Sequence, residues 1–188
     1  EQASDAVARQ RKAAVDACEA AAGFFAAQLH TKDGAAAMHY IRQRGLSDDV
    51  IADFRLGYAP RRGLFAHMQQ REIPADLIKT AGLAGVSDRD GSVYDYFRDR
   101  LIFPIEDPRG RVIGFGARSL GEAQPKYLNS PESPSFVKKT VLYGWGRARI
   151  AARRGLPVMV VEGYMDVIAV AASGVAAAVA PLGTALGE

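Results

Sequence analysis

Two acidic residues, Glu162 and Asp166, stand where an apolar run gives way to a glycine and then to a helical pattern. In parallel α/β sheets, ligands bind beyond the carboxyl ends of the strands, so Glu162 is placed to act on a substrate or a metal ion. Asp166 follows one helical turn later and can join the same site. The alternative is that Glu162 only accepts hydrogen bonds from the start of the helix, whose positive end keeps the carboxylate ionised.

Two arginines, Arg98 and Arg100, stand at the beginning of an apolar run that is typical of a strand. Residues two apart on an extended strand share a face, and a guanidinium presents a planar fork that matches phosphate oxygens. Arg118 follows a second apolar run and is placed to extend the same face. The pattern predicts a phosphate-binding face, and the alternative is an ion pair of these arginines with Asp99 or Asp107.

A third segment packs a lysine, an aromatic ring, an amide and a hydroxyl into five residues, namely Lys126, Tyr127, Asn129 and Ser130, and Lys138 follows downstream. Such a set can hold a phosphate, stack on a base or sugar and hydrogen-bond a base edge. We therefore interpret the segment as a nucleotide-handling or strand-handling site. The alternative is a tight surface turn with a buried tyrosine.

The chain has 188 residues, of which 48% are apolar and 24% charged, a balance typical of globular proteins. A single cysteine, Cys18, excludes a disulfide framework and a cysteine-based zinc site. Charged residues interrupt the long apolar stretch over residues 157–182, so we expect no membrane-spanning segment. The absence of an apolar signal segment predicts a cytoplasmic protein, and because the chain begins at Glu1 we expect a fragment of a longer one.

Charge is distributed unevenly along the chain. Residues 98–154 contain 12 basic and 5 acidic residues, a net charge of +7, whereas residues 1–97 and 155–188 have net charges of −1 and −3. A concentrated basic segment is expected of a protein that binds a polyanion such as nucleic acid. The alternative is a solvated surface of mixed charge.

Hydrophobic periodicity predicts helices in the first half of the chain, at residues 5–29, 35–44, from 48 onward, 64–71 and 75–80. An Asp90-Gly91 pair indicates a turn. Two apolar runs, 101–105 and 112–115, predict a hairpin, and residues 121–139 predict a loop.

The last part of the chain predicts a helix at 144–154, a buried strand at 158–161, a helix at 164–172 and a second buried strand at 175–180. This order is a βαβ unit with a parallel pair of strands. The expected fold class is an α+β N-terminal subdomain with helices and a short antiparallel sheet, followed by the first βαβ unit of an α/β subdomain.

Six segments in this order resemble the bacterial DnaG-type primases. The matching segments are Arg44–Ser47, Phe97–Ile105, Gly110–Arg118, Lys126–Pro131, Leu142–Gly144 and Val161–Asp166, and Leu182–Thr184 also fits. The resemblance begins near residue 35 and runs to the end of the chain. It implies a primase catalytic core whose N-terminal subdomain covers residues 1–155 and whose metal-binding Toprim subdomain begins at residue 156.

The resemblance also implies an activity and its residues. The family makes short RNA primers on a single-stranded DNA template from nucleoside triphosphates, by nucleotidyl transfer with two metal ions. Glu162 and Asp166 correspond to the catalytic acids, and Glu162 to a metal ligand. The family's basic groove and nucleotide-handling residues correspond to Arg44, Arg98, Arg100, Arg118, Lys126, Tyr127, Asn129 and Lys138.

Cofactors and partners follow from the same resemblance. We expect Mg²⁺ or Mn²⁺ at the Toprim site, with the remaining acidic ligands, in an Asp-x-Asp pattern, beyond residue 188. The family binds Zn²⁺ through an N-terminal domain and the replicative helicase through a C-terminal domain, neither of which is expected in this chain. A monomer with no membrane partner is expected, and the 188 residues alone are expected to be inactive.

Two other functions stay open at this point. A topoisomerase or nuclease of the Toprim kind would share Glu162 but needs a tyrosine nucleophile or a different neighbouring domain. A noncatalytic module that binds single-stranded DNA would need only the basic residues. Nucleotide incorporation by a version extended past residue 188 distinguishes these alternatives from a primase.

Overall fold

The computed structural model describes residues 2–182 of the chain, with side chains from residue 4 onward. The first half is mainly helical, as predicted. Its helices are α1 (Gln2–Leu29), α2 (Ala35–Gln43), α3 (Asp48–Asp53), α4 (Leu64–Gln70) and α5 (Ala75–Thr80). Ser47 caps α3, and its hydroxyl accepts a hydrogen bond from the main-chain N–H of Val50.

A four-stranded antiparallel sheet forms the centre of this part. Its strands are β1 (Gly57–Ala59), β4 (Arg100–Glu106), β5 (Val112–Ser119) and β6 (Tyr127–Asn129), in that spatial order. The predicted hairpin is the β4–β5 pair. Strand β6 lies inside the segment predicted to be a loop, and its pairing with β5 explains why that segment is ordered there.

Helix α1 covers one face of this sheet. Small residues at helical spacing, such as Ala14, Cys18 and Ala21, are buried and let the helix approach the strands closely. The contact is so close that a Cβ added at Gly57 of β1 would lie 2.6 Å from the Cβ of Phe25. Phe25 also packs edge-to-face on Phe115 of β5, with ring centroids 5.3 Å apart.

A separate hairpin lies on the same side as α1. Its strands are β2 (Ala84–Val86) and β3 (Val93–Asp95), and the Asp90-Gly91 pair lies in the turn between them, as predicted. Ala84 is buried in the core that α1 shares with α4, which includes Leu64 and Met68. The hairpin and α4 are therefore built onto the α1 face of the sheet.

The last part of the described chain forms a three-stranded sheet. Its elements are β7 (Leu142–Tyr143), α6 (Trp145–Arg153), β8 (Val158–Val160), α7 (Tyr164–Ser173) and β9 (Ala177–Pro181), with strand order β7-β9-β8. Strands β8 and β9 are parallel, which confirms the βαβ prediction. Strand β7 lies before residue 155 and β9 after it, so their pairing connects the two sides of the predicted subdomain boundary. The boundary itself stays a prediction.

The prediction that both parallel strands are buried is wrong for β8. Val158, Met159 and Val160 are all exposed, Val160 by 62%, because within residues 2–182 the strand β8 pairs only with β9 and lies at the edge of their sheet. The central strand β9 is buried from Ala177 to Ala180, as predicted. Among the helices of residues 2–182, none has both the length and the apolarity that crossing a bilayer requires.

Candidate nucleic-acid and metal site

The acidic residues lie at the carboxyl end of β8. Glu162 is exposed in the short turn between β8 and α7, and Asp166 is exposed in the first turn of α7. A Cβ added at Gly163 would lie 3.5 Å from Oδ2 of Asp166, so the Asp166 carboxylate folds back toward the start of its helix. Both acids are therefore presented at the strand end where parallel sheets bind ligands.

The structure gives no support to the alternative role for Glu162. In the described part of the chain, the Glu162 carboxylate accepts no hydrogen bond and forms no ion pair. Residue Gly163 takes the cap position of α7, and no side chain caps this helix. The Glu162 carboxylate is thus free for another partner.

Tyr164 anchors this acidic turn on the antiparallel sheet. It packs on a row of paired residues that crosses three strands, formed by Phe103, Gly116 and Asn129 and called here the Asn129 row. The Tyr164 ring stacks on Phe103 at a centroid distance of 4.8 Å and lies so close to Gly116 that a Cβ there would be 2.1 Å from the ring. Its hydroxyl donates a hydrogen bond to Oδ1 of Asn129.

Asn129 joins the two parts of the protein rather than standing free for a base. Besides accepting from Tyr164, its amide Nδ2 donates to the main-chain oxygen of Leu182, 3.0 Å away, just after β9. The Asn129 amide thereby contacts Tyr164, which follows β8, and Leu182, which follows β9. Burial raises the pKa of the Tyr164 hydroxyl above its ordinary value, so the donor of this contact stays protonated at a higher pH than a free tyrosine does.

The next row on the same face carries the basic and aromatic residues. Leu101, Arg118 and Tyr127 pair across the same three strands two positions along, about 7 Å from the Asn129 row. We call this set the Arg118 row. Tyr127 is 47% exposed, so the alternative of a turn with a buried tyrosine is wrong.

Helix α2 contributes an aromatic ring that the sequence analysis missed. The Arg118 guanidinium lies 4.3 Å from the centroid of the Tyr40 ring and 5.9 Å from that of Tyr127. The Arg44 guanidinium lies 5.2 Å from the same Tyr40 ring. Tyr40 therefore holds two predicted site arginines beside each other, and its spacing of four residues from Arg44 was the signal available in the sequence.

The prediction that Arg98, Arg100 and Arg118 share one face is wrong. Asp99 has a φ of 51°, which breaks the extended chain between the first two arginines, and Arg98 is exposed whereas Arg100 is only 5% exposed. Arg100 also pairs with Ser119 rather than with Arg118, which places Arg100 and Arg118 on opposite faces of the sheet. The suggested ion pair with Asp107 is absent among the described residues, because Asp107 binds Arg111.

Arg100 instead positions the loop that carries Lys126. Its Nη1 donates to the main-chain oxygen of Pro125 at 2.8 Å and lies 3.5 Å from that of Lys126. The Lys126 side chain is exposed beside Tyr127. Lys138 lies further along on a short 3-10 turn (Lys138–Thr140), and the hydrogen bonds of the described residues connect it to Glu132 and not to the Arg118 row.

The metal-ligand set within the described chain is small. Across residues 2–182, no three His, Cys, Asp or Glu side chains lie together in a way that could hold a metal ion. Glu162 and Asp166 remain as a pair of exposed carboxylates near the same strand end. This pair fits Mg²⁺, which proteins commonly hold through one or two carboxylates together with water and substrate phosphates.

Comparisons with known proteins match both parts of the chain. A family model described as DNA primase catalytic core, N-terminal domain, matches residues 24–149, and a Toprim domain model matches residues 157–188. A DNA primase of Synechococcus elongatus is 49% identical over 168 residues, which is 87% of this chain and 24% of the relative. A DNA primase of Deinococcus radiodurans is 47% identical over 152 residues, 80% of this chain and 27% of the relative.

Solved structures agree with these relatives. The DnaG primase catalytic domain bound to single-stranded DNA is 41% identical, with a TM-score of 0.82 over 95% of this chain and 58% of that one. The RNA polymerase domain of Mycobacterium tuberculosis primase DnaG in complex with double-stranded DNA is 36% identical, with a TM-score of 0.88 over 95% and 57%. This chain spans about a quarter of the length of the curated relatives it matches.

Proposed function

This chain belongs to the family of DNA primase catalytic cores, and from that premise we propose that it forms part of an enzyme that makes RNA primers on single-stranded DNA. The observation that carries the proposal is the arrangement around Tyr164. The residue that anchors the Glu162 turn lies on the row next to Arg118 and Tyr127. Exposed carboxylates and a basic, aromatic surface therefore border one junction.

The Arg118 row supplies the template contacts in this proposal. Arg118 and Arg44 offer guanidiniums to phosphate oxygens, and Tyr127 offers an exposed ring on which a base can stack. Lys126 adds a flexible charge beside that ring. These contacts hold a strand without reading its sequence, because phosphates and ring faces are common to every nucleotide.

The acidic turn supplies the metal contacts. Glu162, with Asp166 nearby, would hold Mg²⁺ or Mn²⁺ together with ligands outside the described residues. A bound divalent cation stabilises the charge that develops on the attacking and leaving oxygens when a 3′-hydroxyl attacks an α-phosphate. The protein's own part is to fix the carboxylates by the Tyr164 anchor and to hold the template on the neighbouring row.

Other partners are proposed from family membership alone. They are nucleoside triphosphates, the RNA primer, and, in the complete enzyme, the replicative helicase and the Zn²⁺ of an N-terminal domain. The match over residues 24–149 to a primase domain disfavours a topoisomerase or nuclease of the Toprim kind. The monomeric state and the predicted cytoplasmic location stay predictions.

Glu162→Gln tests the metal assignment in a version extended through the whole Toprim domain. Loss of the charge should lower primer synthesis by about 10²–10³-fold, because one preorganised electrostatic contact is removed. Single-stranded DNA binding, measured by fluorescence anisotropy, should stay unchanged because it depends on residues across the junction. Glu122→Gln is the matched control, since Glu122 is an exposed acid on a loop. Unchanged synthesis by Glu162→Gln would contradict the assignment.

A further inference from the structure

A series of alternating charges crosses the contact between the three-stranded sheet and the rest of the protein. Nη2 of Arg147, on α6, lies 3.8 Å from one carboxylate oxygen of Glu106 at the end of β4, and Nη1 of Arg55 lies 3.9 Å from the other. Arg55 in turn binds Glu19 of α1 at 2.6 Å. Glu19 also accepts a hydrogen bond from the main-chain N–H of Val112 in β5. The Glu106 carboxylate is therefore held from two sides.

Arg147 makes three more contacts, all with the end of α3. Its guanidinium donates hydrogen bonds to the carboxylate and to the main-chain oxygen of Asp53, the last residue of that helix. The same guanidinium lies 4.4 Å from the centroid of the Phe54 ring. Carbonyls at the carboxyl end of a helix carry partial negative charge, which a guanidinium stabilises. One side chain of α6 thus binds both α3 and the end of β4.

Arg147 belongs to the part of the protein that carries the acidic turn. Its neighbour Ala148 is buried in one cluster with Ala177 and Val179 of β9, so α6 is packed on the three-stranded sheet. Strand β9 pairs with β8, which leads directly into Glu162. A shift of α6 relative to α3 would therefore be accompanied by a shift of the acidic turn.

Arg147 and Tyr164 lie at the two ends of a row of neighbouring aromatic rings. The Tyr164 ring centroid lies 4.7 Å from that of Tyr143, the Tyr143 centroid lies 6.4 Å from that of Phe54, and the Arg147 guanidinium lies on Phe54. The Tyr164 anchor alone would leave the three-stranded sheet free to turn about one point of attachment. The second attachment at Arg147 resists that rotation.

The contact between Arg147 and Glu106 is largely shielded from solvent. Their side chains are only 29% and 20% exposed. Burial raises the pKa of the Glu106 carboxyl, and the Arg147 and Arg55 guanidiniums oppose that rise. Removal of Arg147 would leave this carboxylate with one guanidinium instead of two, which is unfavourable away from solvent. We therefore expect the contact to open when Arg147 is removed.

We propose that Arg147 is a positioning residue, which fixes the placement of the acidic turn relative to the Arg118 row. It acts on Glu162 through α6 and β9 and contacts neither metal ion nor template. The proposal rests on the proposed function for the reaction that needs this placement, whereas the placement itself is a property of the fold. A displacement of about 1 Å at a reacting centre can lower a rate by about 10²-fold, so a residue outside the site can still control synthesis.

The placement can be measured with two nitroxide labels on the 188-residue chain. Ala27→Cys on α1 and Ala169→Cys on α7 put the labels at exposed helical positions on the two sides of the contact. Cys18 stays unlabelled, because it is buried and burial raises the pKa of its thiol to about 12. Double electron–electron resonance should give one narrow distance distribution with Arg147 present. In Arg147→Ala it should be broadened or shifted by about 1 Å or more, the displacement that matters for a rate.

Arg153→Ala is the matched control, because Arg153 is an exposed arginine of the same helix and forms no ion pair within residues 2–182. It should leave the distribution narrow. Arg147→Lys keeps the charge but loses the planar fork, so its distribution should lie between the two. Thermal melting verifies folding, and if Arg147→Ala is unfolded, Arg147→Lys takes its place. An unchanged distribution in the folded Arg147 variant, or equal broadening in Arg153→Ala, would overturn the proposal.

Primer synthesis by a version extended through the whole Toprim domain provides the second readout. Arg147→Ala should lower kcat by about 10²-fold and leave single-stranded DNA affinity unchanged, because the Arg118 row is intact. A role in stability alone would leave kcat of the folded enzyme unchanged, and an unchanged kcat beside a broadened distribution would refute the positioning role. If the extended chain makes no primers while Arg147→Ala still broadens the distribution, the proposed function fails and the placement by Arg147 stands.

Discussion

The Asn129 row and the Arg118 row lie side by side on one face of one sheet, yet one is covered by Tyr164 and the other faces solvent at Tyr127. Asn129 and Gly116 are covered by Tyr164, which ties the sheet to the βαβ unit. Two positions along the same strands, Tyr127 is exposed and Arg118 is half-buried beside that joint. The inserted Tyr164 ring thus divides the face into a structural part and the part that we propose binds the template.

The comparison shows how the acidic turn and the basic surface come to be neighbours. Tyr164 follows Glu162 by two residues, so the packing of its ring on the Asn129 row also holds the Glu162 turn close to that row, which adjoins the Arg118 row. The stacked ring of Phe103 and the edge-on ring of Tyr143, 4.7 Å from Tyr164, complete that seat. The joint therefore positions the site without belonging to it.

Gly116→Ala should break the joint and have the largest effect on stability. The added Cβ would lie 2.1 Å from the Tyr164 ring, so the ring or the strand must move. We expect a loss of about 2–3 kcal/mol in the free energy of unfolding, as is usual for overpacking a core. Gly121→Ala is the control, because a Cβ there meets nothing within 4 Å. Equal urea midpoints for the two variants would refute the close packing of this row.

Arg118→Ala should affect binding rather than folding. We expect single-stranded DNA affinity to fall about tenfold and the log–log salt slope to lessen by about 0.7, as for the loss of one phosphate contact. The free energy of unfolding should change by less than about 1 kcal/mol, because Arg118 loses two cation–π contacts, with Tyr40 and Tyr127, and one long hydrogen bond to the main-chain oxygen of Ser119. Arg71→Ala provides the charge control. A large loss of stability with intact binding would make Arg118 a structural residue.

Tyr164→Phe should weaken the joint more modestly. Asn129 loses a buried hydrogen-bond donor, so the free energy of unfolding should fall by about 1–2 kcal/mol at neutral pH. Tyr143→Phe is the matched control, because the buried hydroxyl of Tyr143 has no hydrogen-bond partner within the described residues. Its removal should be neutral or stabilising. If the two variants lose the same stability, the Tyr164–Asn129 contact contributes nothing specific.

The pH dependence of stability is a second test of the buried Tyr164 hydroxyl. Burial raises the pKa of Tyr164 above its unfolded value of 10.0, so its contribution is complete below pH 10 and is lost as the pH rises further. Tyr164→Phe should therefore lose less stability than the wild type between pH 9 and pH 11, measured by urea unfolding. An identical decline in both proteins would show that Tyr164 ionises equally easily in the folded and unfolded states.

Lys126→Ala should have the smallest effect in this series. Its side chain is exposed and its main chain is held by Arg100, so the loop should persist without the ammonium. We expect a two- to threefold loss of single-stranded DNA affinity and a stability change below about 0.5 kcal/mol. Anisotropy measures the affinity and thermal melting the stability, with Lys139→Ala as the control. A melting temperature lowered as much as by Gly116→Ala would show that Lys126 supports the fold.

Local patterns in the sequence sufficed for most elements and for the exposed acids. The βαβ unit, the β4–β5 hairpin and the helices follow from periodicity, caps and turns, and Glu162 follows from its place after a strand. The sequence did not indicate that Tyr127 would be exposed while Asn129 forms hydrogen bonds within the protein. Both are polar residues of one short motif. The ring of Tyr164, from 35 residues along the chain, covers Asn129 in part and leaves Tyr127 exposed.

The arginines show a second reason why parts of the site could not be predicted from the sequence. An extended chain through Arg98 and Arg100 would place them together, but Asp99 takes a left-handed conformation that is uncommon for residues other than glycine, although aspartate tolerates it better than most. Tyr58 donates a hydrogen bond to Asp99 from 41 residues away, a contact that no local pattern indicates. The prediction that β8 is buried failed for a similar reason. Its place at the edge of the sheet depends on the pairing of β7 with β9, which no local pattern indicates.

The most direct test of the account compares Tyr127→Ala with Asn129→Ala in the same two measurements, single-stranded DNA affinity by anisotropy and the free energy of unfolding by urea. Tyr127→Ala should lose binding equivalent to about 1–3 kcal/mol, the range for one stacked base, and keep its stability. Asn129→Ala should lose about 1–3 kcal/mol of stability, because two partly buried hydrogen bonds are broken, and keep its affinity when folded. The reverse pattern, with Asn129 needed for binding and Tyr127 for folding, would contradict the division of this sheet face into a joint and a template surface.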